Sequence, residues 1–155
     1  MNALRERLAA AMEGRLPGRF GVELLSIESG AVETRLALKE EHLAPNDFLH
    51  AGTVITLADT SAGMGCLASL PEGAGGFTTI ELKTNFLGTA RDGALRCSAR
   101  MVHGGGRTQV WDATVSRAED ERVIALFCCT QFLLPKDDVR TTRQRQQRGA
   151  AEDDR

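Results

Sequence analysis

The sequence predicts an α+β domain in which a curved antiparallel sheet wraps around one long, apolar helix. Three features of the 155-residue chain lead there. A mostly apolar stretch, residues 50–68, is long enough for a helix and has a single acid, Asp59, near its middle. Six shorter segments read as strands, two before that helix and four after it. No strand–helix alternation of the doubly wound kind is present, so wrapping the sheet around the helix is the simplest way to bury both apolar surfaces.

Taken in order, residues 3–13 place Leu4, Leu8, Ala11 and Met12 on one face of a short amphipathic helix that Gly14 and Pro17 end. This gives an N-terminal segment, 1–17, ahead of a main domain, 18–135. Residues 21–28 and 31–38 are two strands joined around Glu28-Ser29-Gly30, the second alternating Val32, Thr34, Leu36 and Leu38 with polar residues. A polar loop, 40–49, contains the turn Pro45-Asn46-Asp47.

Within the central helix, Gly63 and Gly65 each cost roughly 1 kcal/mol relative to alanine. Such glycines are tolerated where another backbone comes close. After a breaker at 71–76, four strands are expected at 77–87, 94–103, 107–117 and 122–134. The first alternates Thr78, Ile80, Leu82, Thr84 and Phe86 against Thr79, Glu81, Lys83 and Asn85, and the last is apolar on both faces. Their short links at Arg91-Asp92-Gly93, Gly104-Gly105-Gly106 and Glu119-Asp120-Glu121 read as an antiparallel meander. The remainder, 136–155, is nearly all charged or polar and reads as a disordered tail.

Composition excludes several classes. A formal net charge of −2 with mixed signs offers neither a nucleic-acid nor a membrane footprint. No apolar run reaches the ~18 residues of a membrane span, and the N-terminus lacks a signal peptide's basic-then-apolar order. A cytoplasmic location is the expectation. Cys66, Cys97, Cys128 and Cys129 sit in apolar segments without a Cys-x-x-Cys pair, which suits buried free thiols. His42, His50 and His103 are scattered and no acid cluster joins them, so no metal site is expected.

One carboxylate among Ile55, Leu57, Ala58, Ala62 and Met64 is costly to desolvate unless it is paired or used. Its setting carries a motif: His50-Ala51-Gly52, four residues, then Leu57-Ala58-Asp59. Together with Thr79-Ile80-Glu81-Leu82-Lys83-Thr84-Asn85-Phe86 and Gly106-Arg107-Thr108-Gln109-Val110-Trp111-Asp112, it resembles the PaaI-type hot-dog-fold acyl-CoA thioesterases over residues 20–134. Two departures stand out: Ala51 replaces the first glycine of the family's His-Gly-Gly, and Ala44 stands where many members carry asparagine, with Asn46 nearby.

The resemblance implies hydrolysis of an acyl-CoA to free acid and coenzyme A in a homodimer or homotetramer. It gives Asp59 the role of nucleophile or general base, and Thr79 that of the hydroxyl assisting it. Backbone N–H groups around Ala51 and Gly52 would polarise the carbonyl, facing the acid from a different subunit. A helix N-terminus suits that role on physical grounds, since it offers unpaired donors and a positive dipole end.

No cofactor is implied. His50 is read as ordering the loop into the helix rather than as a base. Asn46, Lys83 and Arg107 are candidate substrate contacts, Arg107 for phosphate, since a guanidinium and the neighbouring glycine amides suit an anion; a solvated turn arginine is the other reading. An asparagine after proline, as Asn46 is after Pro45, is more often a turn former. Trp111 is read as packing, and Glu81 as paired with a basic neighbour across the sheet. A non-catalytic acyl-CoA-binding module is the alternative, but it would have no need of Asp59. A dehydratase on the same fold would lack its usual acid–histidine pair.

Overall fold

The computed structural model describes residues 2–139. Two helices, α1 (Asn2–Met12) and α2 (Leu16–Phe20), lead into a hairpin of β1 (Val22–Glu28) and β2 (Ala31–Ala37). A 3-10 turn at Glu40–His42 precedes the central helix α3 (Ala51–Ala68). Four strands follow: β3 (Ala74–Phe86), β4 (Ala94–Gly104), β5 (Thr108–Arg117) and β6 (Val123–Pro135). The expected disorder of the tail falls, from residue 140 onward, outside the described residues; 136–139 are helical.

The six strands form one antiparallel sheet in the order β1-β2-β4-β5-β6-β3. The meander expectation therefore holds for β4–β5–β6 and fails for β3. That strand pairs with β6 at the far edge, so residues 87–93 form a crossover rather than a hairpin link. The helix α3, which precedes β3, lies across the inner face of the sheet and contacts all six strands.

Sequence periodicity explains what each element buries. In α1, Leu8 and Met12 join the common core and Leu4 is half-buried, but Ala11 is exposed. The Arg5 Nε–H donates to the Leu24 carbonyl (3.1 Å) and fastens α1 to β1. Pro17 does not end the N-terminal helical region. It sits in the first turn of α2, where its missing N–H costs nothing, and Gly21 closes that helix at φ 79°.

On the sheet, Val32, Thr34 and Leu36 of β2 and Cys97, Ala99, Trp111 and Val115 of β4 and β5 face α3 and are fully or almost fully buried. The inner face of β6 is likewise buried, but its outer face is not: Leu126 and Phe132 are exposed. The two apolar faces of β6 thus meet different surroundings in the single chain. Glu81 lies opposite Thr130 rather than a basic residue.

What approaches the two helix glycines is not backbone but aromatic rings from the sheet. A Cβ on Gly63 would stand 2.8 Å from Phe77 Cζ, and one on Gly65 would overlap the six-membered ring of Trp111. Trp111 is fully buried, and its indole N–H donates to Gln109 Oε1 (2.9 Å), whose Nε2 in turn donates to the Ser69 carbonyl (2.9 Å) just past α3. Packing and polar satisfaction together fix the C-terminal half of α3 against β5.

Cys66, Cys97 and Cys129 are buried and Cys128 is half-buried, all free, as expected. Burial pushes the thiols of Cys66, Cys97 and Cys129 up to about 12, so they stay neutral. No helix among the described residues is long and apolar enough to cross a membrane.

Candidate active site

The first turn of α3 is built by two histidines. His50 is the N-cap, extended at φ −68°, ψ 133°, and its Nδ1 accepts the Gly52 N–H at 2.8 Å. An Nδ1 acceptor leaves the proton of the neutral ring on Nε2. Gly52 has to be glycine for the ring to fold back, because a Cβ there would meet Nδ1 at 2.9 Å. His50 thus orders the helix start, as read from the sequence.

That leaves the Gly52 amide engaged, while the Ala51 N–H meets no acceptor among the described residues. Beneath this turn lies His42, 1% exposed, which the sequence alone did not single out. Its carbonyl accepts from the His50 N–H (3.1 Å) and the Thr53 hydroxyl (2.9 Å), and its Nδ1 accepts the Lys39 N–H (3.0 Å). Burial holds its pKa below the usual histidine value, and the ring packs against Phe20. An open depression of about 280 Å³ in front of the turn is lined by Phe20, Leu43, His50, Gly52 and Thr56 among others.

Two turns along α3, Asp59 is half-buried. The Thr79 hydroxyl donates to its Oδ1 at 3.2 Å. Burial raises the Asp59 pKa above the ordinary carboxylate value, and the Thr79 hydrogen bond offsets part of that rise.

Strict alternation of β3 had put Thr79 on the opposite face from Leu82, Thr84 and Phe86. A β-bulge changes this. Thr79 pairs with Gln131 but Glu81 with Thr130, so Ile80 is inserted without a partner and the strand changes phase. Thr79 then shares the inner face with Leu82, Thr84 and Phe86, opposite the buried Gln131, Cys129, Phe127 and Ala125. Gln131, missed by the sequence reading, lies 2.9 Å from the Thr79 hydroxyl through its Oε1. Only the register could have found it.

The other candidates are not gathered at Asp59. Lys83 belongs to the outer face, opposite Cys128, and lines a depression of about 240 Å³ together with Asp112. Arg107 lines one of about 380 Å³ with Glu72, Phe132 and Asp138. The Asn46 Oδ1 accepts the Phe48 N–H (3.3 Å), and Asp47 follows at φ 61°, so Asn46 shapes its own turn. Trp111 is core packing, as read.

A sheet rolled around a helix that carries one half-buried acid is the hot-dog architecture of thioester hydrolases. A model of the thioesterase superfamily matches residues 46–124, from the turn before α3 into β6, and the chain belongs to that superfamily. It is a thioesterase. A 1,4-dihydroxy-2-naphthoyl-CoA hydrolase of Listeria monocytogenes is 29% identical over 111 residues, covering 72% of this chain and 89% of the relative. A mutant thioesterase from Pseudomonas aeruginosa superposes with a TM-score of 0.79 at 22% identity, over 84% of this chain and 94% of that one. A hypothetical thioesterase from Streptococcus pneumoniae, solved with coenzyme A, superposes with a TM-score of 0.67 at 22% identity, over 74% and 86%. At such identity the two structural likenesses speak to the fold.

Proposed function

We propose that the chain hydrolyses an acyl-CoA thioester to a carboxylic acid and coenzyme A, with Asp59 as the acid–base or nucleophilic group. The observation that carries this reading is Asp59 itself: a half-buried carboxylate held by Thr79, its pKa raised by burial. A base whose pKa is lifted towards the working pH takes a proton more effectively than an ordinary aspartate. The choice of CoA rests on the Listeria relative's name and on the coenzyme A in the Streptococcus structure.

In the general-base form, Asp59 takes a proton from water as the oxygen attacks the thioester carbonyl carbon. The oxyanion is held by a helix N-terminal N–H, for which Ala51 is the available donor. Collapse breaks the C–S bond, and the departing thiolate takes up a proton. In the nucleophilic form, an Asp59 oxygen attacks first and water opens the resulting anhydride. Both use the same residues.

One helix cannot supply both halves of such a site. Ala51 and Asp59 are eight residues apart along α3, about 12 Å at 1.5 Å per residue, whereas an oxyanion donor and an attacking group must both lie within ~3 Å of one reacting centre. The acid of one copy would therefore meet the helix start of another. The long β3 edge favours such a partner: Ile80, Leu82 and Phe86 are exposed along a proline-free strand that, among the described residues, has no strand beyond it. Neither Lys83 nor Arg107 carries the phosphate part of this reading, since each shares its depression with a carboxylate.

The test is release of free thiol from benzoyl-CoA, hexanoyl-CoA and acetyl-CoA. Turnover of at least one is expected; none from any of the three would overturn the assignment of CoA thioesters as substrates.

A further inference from the structure

Gln131 lies on the inner face of β6, fully buried among apolar neighbours such as Phe127, Cys129 and Leu133. An aliphatic side chain would fill that position without desolvating an amide, and buried amides persist only where they are hydrogen-bonded. The other fully buried glutamine gives a contrast. Gln109 is anchored at both ends by groups that cannot change role, an indole N–H and a backbone carbonyl. Among the described residues, the Gln131 amide reaches only the Thr79 hydroxyl (2.9 Å) and the Cys129 thiol (3.3 Å), each of which can both donate and accept.

Thr79 has one proton and two acceptors in reach, Asp59 Oδ1 at 3.2 Å and Gln131 Oε1 at 2.9 Å. With Asp59 protonated, the chain runs outward: Asp59 O–H to Thr79, Thr79 O–H to Gln131 Oε1, and Gln131 Nε2–H to Cys129 Sγ. With Asp59 ionised, the Thr79 O–H donates a hydrogen bond to the carboxylate and its own oxygen needs a donor. The amide, turned over, supplies one from Nε2, and the Cys129 S–H donates to Oε1. Each of the three links is kept in both states with its direction reversed, once the amide turns over and the Thr79 and Cys129 hydrogens rotate.

We propose that Gln131 is a positioning residue for the thioester hydrolysis, its buried amide directing the Thr79 hydroxyl towards Asp59 when Asp59 is charged and away when it is protonated. The proposal rests on Asp59 being the working group. Among the described residues, the titratable groups acting on this network besides Asp59 are Cys129 and Cys128 on β6 and Cys66 on α3. Burial holds Cys129 and Cys66 at about 12 and raises Cys128 as well, so the acid limb of a rate profile belongs to Asp59.

The experiment uses full-length protein and whichever acyl-CoA of the three is turned over best. Gln131→Leu is expected to lower kcat about tenfold, the scale of one hydrogen bond, with KM unchanged within about twofold. Since Gln131 acts through Thr79, adding Gln131→Leu to Thr79→Val should produce no further loss. Gln131→Glu keeps the shape but offers Thr79 a competing acceptor and places a second carboxylate beside Asp59. It should move the acid limb of kcat/KM up by about one pH unit or more. Full kcat in Gln131→Leu, losses that multiply in the double variant, or an unmoved acid limb in Gln131→Glu would each overturn the proposal. If Asp59→Asn is inactive while Gln131→Leu is normal, only this inference falls; a fully active Asp59→Asn removes its foundation as well.

Discussion

Asp59→Asn is expected to lose on the order of a thousandfold in kcat, within the range that a positioned general base or nucleophile supplies. The amide keeps the size of the carboxylate and can still accept the Thr79 hydrogen bond. The fold should therefore be intact and KM little changed. Stability adds a check that a structural role for Asp59 would not satisfy. Because burial raises the folded-state pKa, the folded protein binds more protons than the unfolded chain between the ordinary and the raised value. Stability therefore falls as pH rises through that window, and the penalty is complete above the folded pKa. The asparagine variant escapes it. It should be the more stable protein at neutral pH, with the advantage shrinking as pH falls through that window and gone below the ordinary carboxylate value. Thermal melts of both proteins across pH test this, and a variant that is inactive because it is unfolded would show the reverse.

The second large effect lies at the contact between α3 and β5. Trp111→Ala should destabilise the protein by about 3–5 kcal/mol, the usual cost of emptying a fully buried aromatic site, and it also leaves the Gln109 Oε1 without its indole donor. Gly65→Ala attacks the same contact from the other side and should cost about 1–3 kcal/mol by overpacking, because its methyl group overlaps the Trp111 ring. The two positions are coupled. In a Trp111→Phe background the smaller ring leaves room, and Gly65→Ala should cost measurably less there than in the parent. Urea denaturation of the four proteins decides it. Strict additivity would mean that the glycine is kept for another reason.

Where the sequence was legible and where it was not follows from range. The α+β class, the six strands and the long helix could be read because periodicity and turn residues are local signals. Asp59 could be read because a charge within an apolar helix is conspicuous by itself, and the motif from His50 to Asp59 supplied its setting. The partner of β3 is a different matter: antiparallel neighbours of similar pattern cannot be ranked from sequence, where β4 is the nearest candidate, and the pairing with β6 shows only in the fold. The bulge at Ile80 was invisible for a related reason. An unbroken alternation from Thr78 to Phe86 fits the segment as written, and only pairing with β6 reveals the extra residue that swings Thr79 inward. Gln131 and His42 were missed because their significance lies in what they touch across the fold. Pro17 misled because the same residue that stops one helix can open the next.

The most direct measurement of the shared-site account mixes two disabled proteins. Proline at position 51 removes the Ala51 N–H and little else: it falls at the first helical position, where proline is tolerated, and His50 before it is already extended. Ala51→Pro should lose about a hundredfold in kcat, and Asp59→Asn more. If each site takes its acid from one copy and its helix start from the other, a dimer holding one of each variant has one fully intact site. Unfolding and refolding the two together in equal amounts should give half mixed dimers, each with one working site of two, and so about a quarter of wild-type activity. Activity no higher than the sum of the separately refolded variants, with mixed dimers shown to be present, would contradict a site shared between the acid of one copy and the helix start of another.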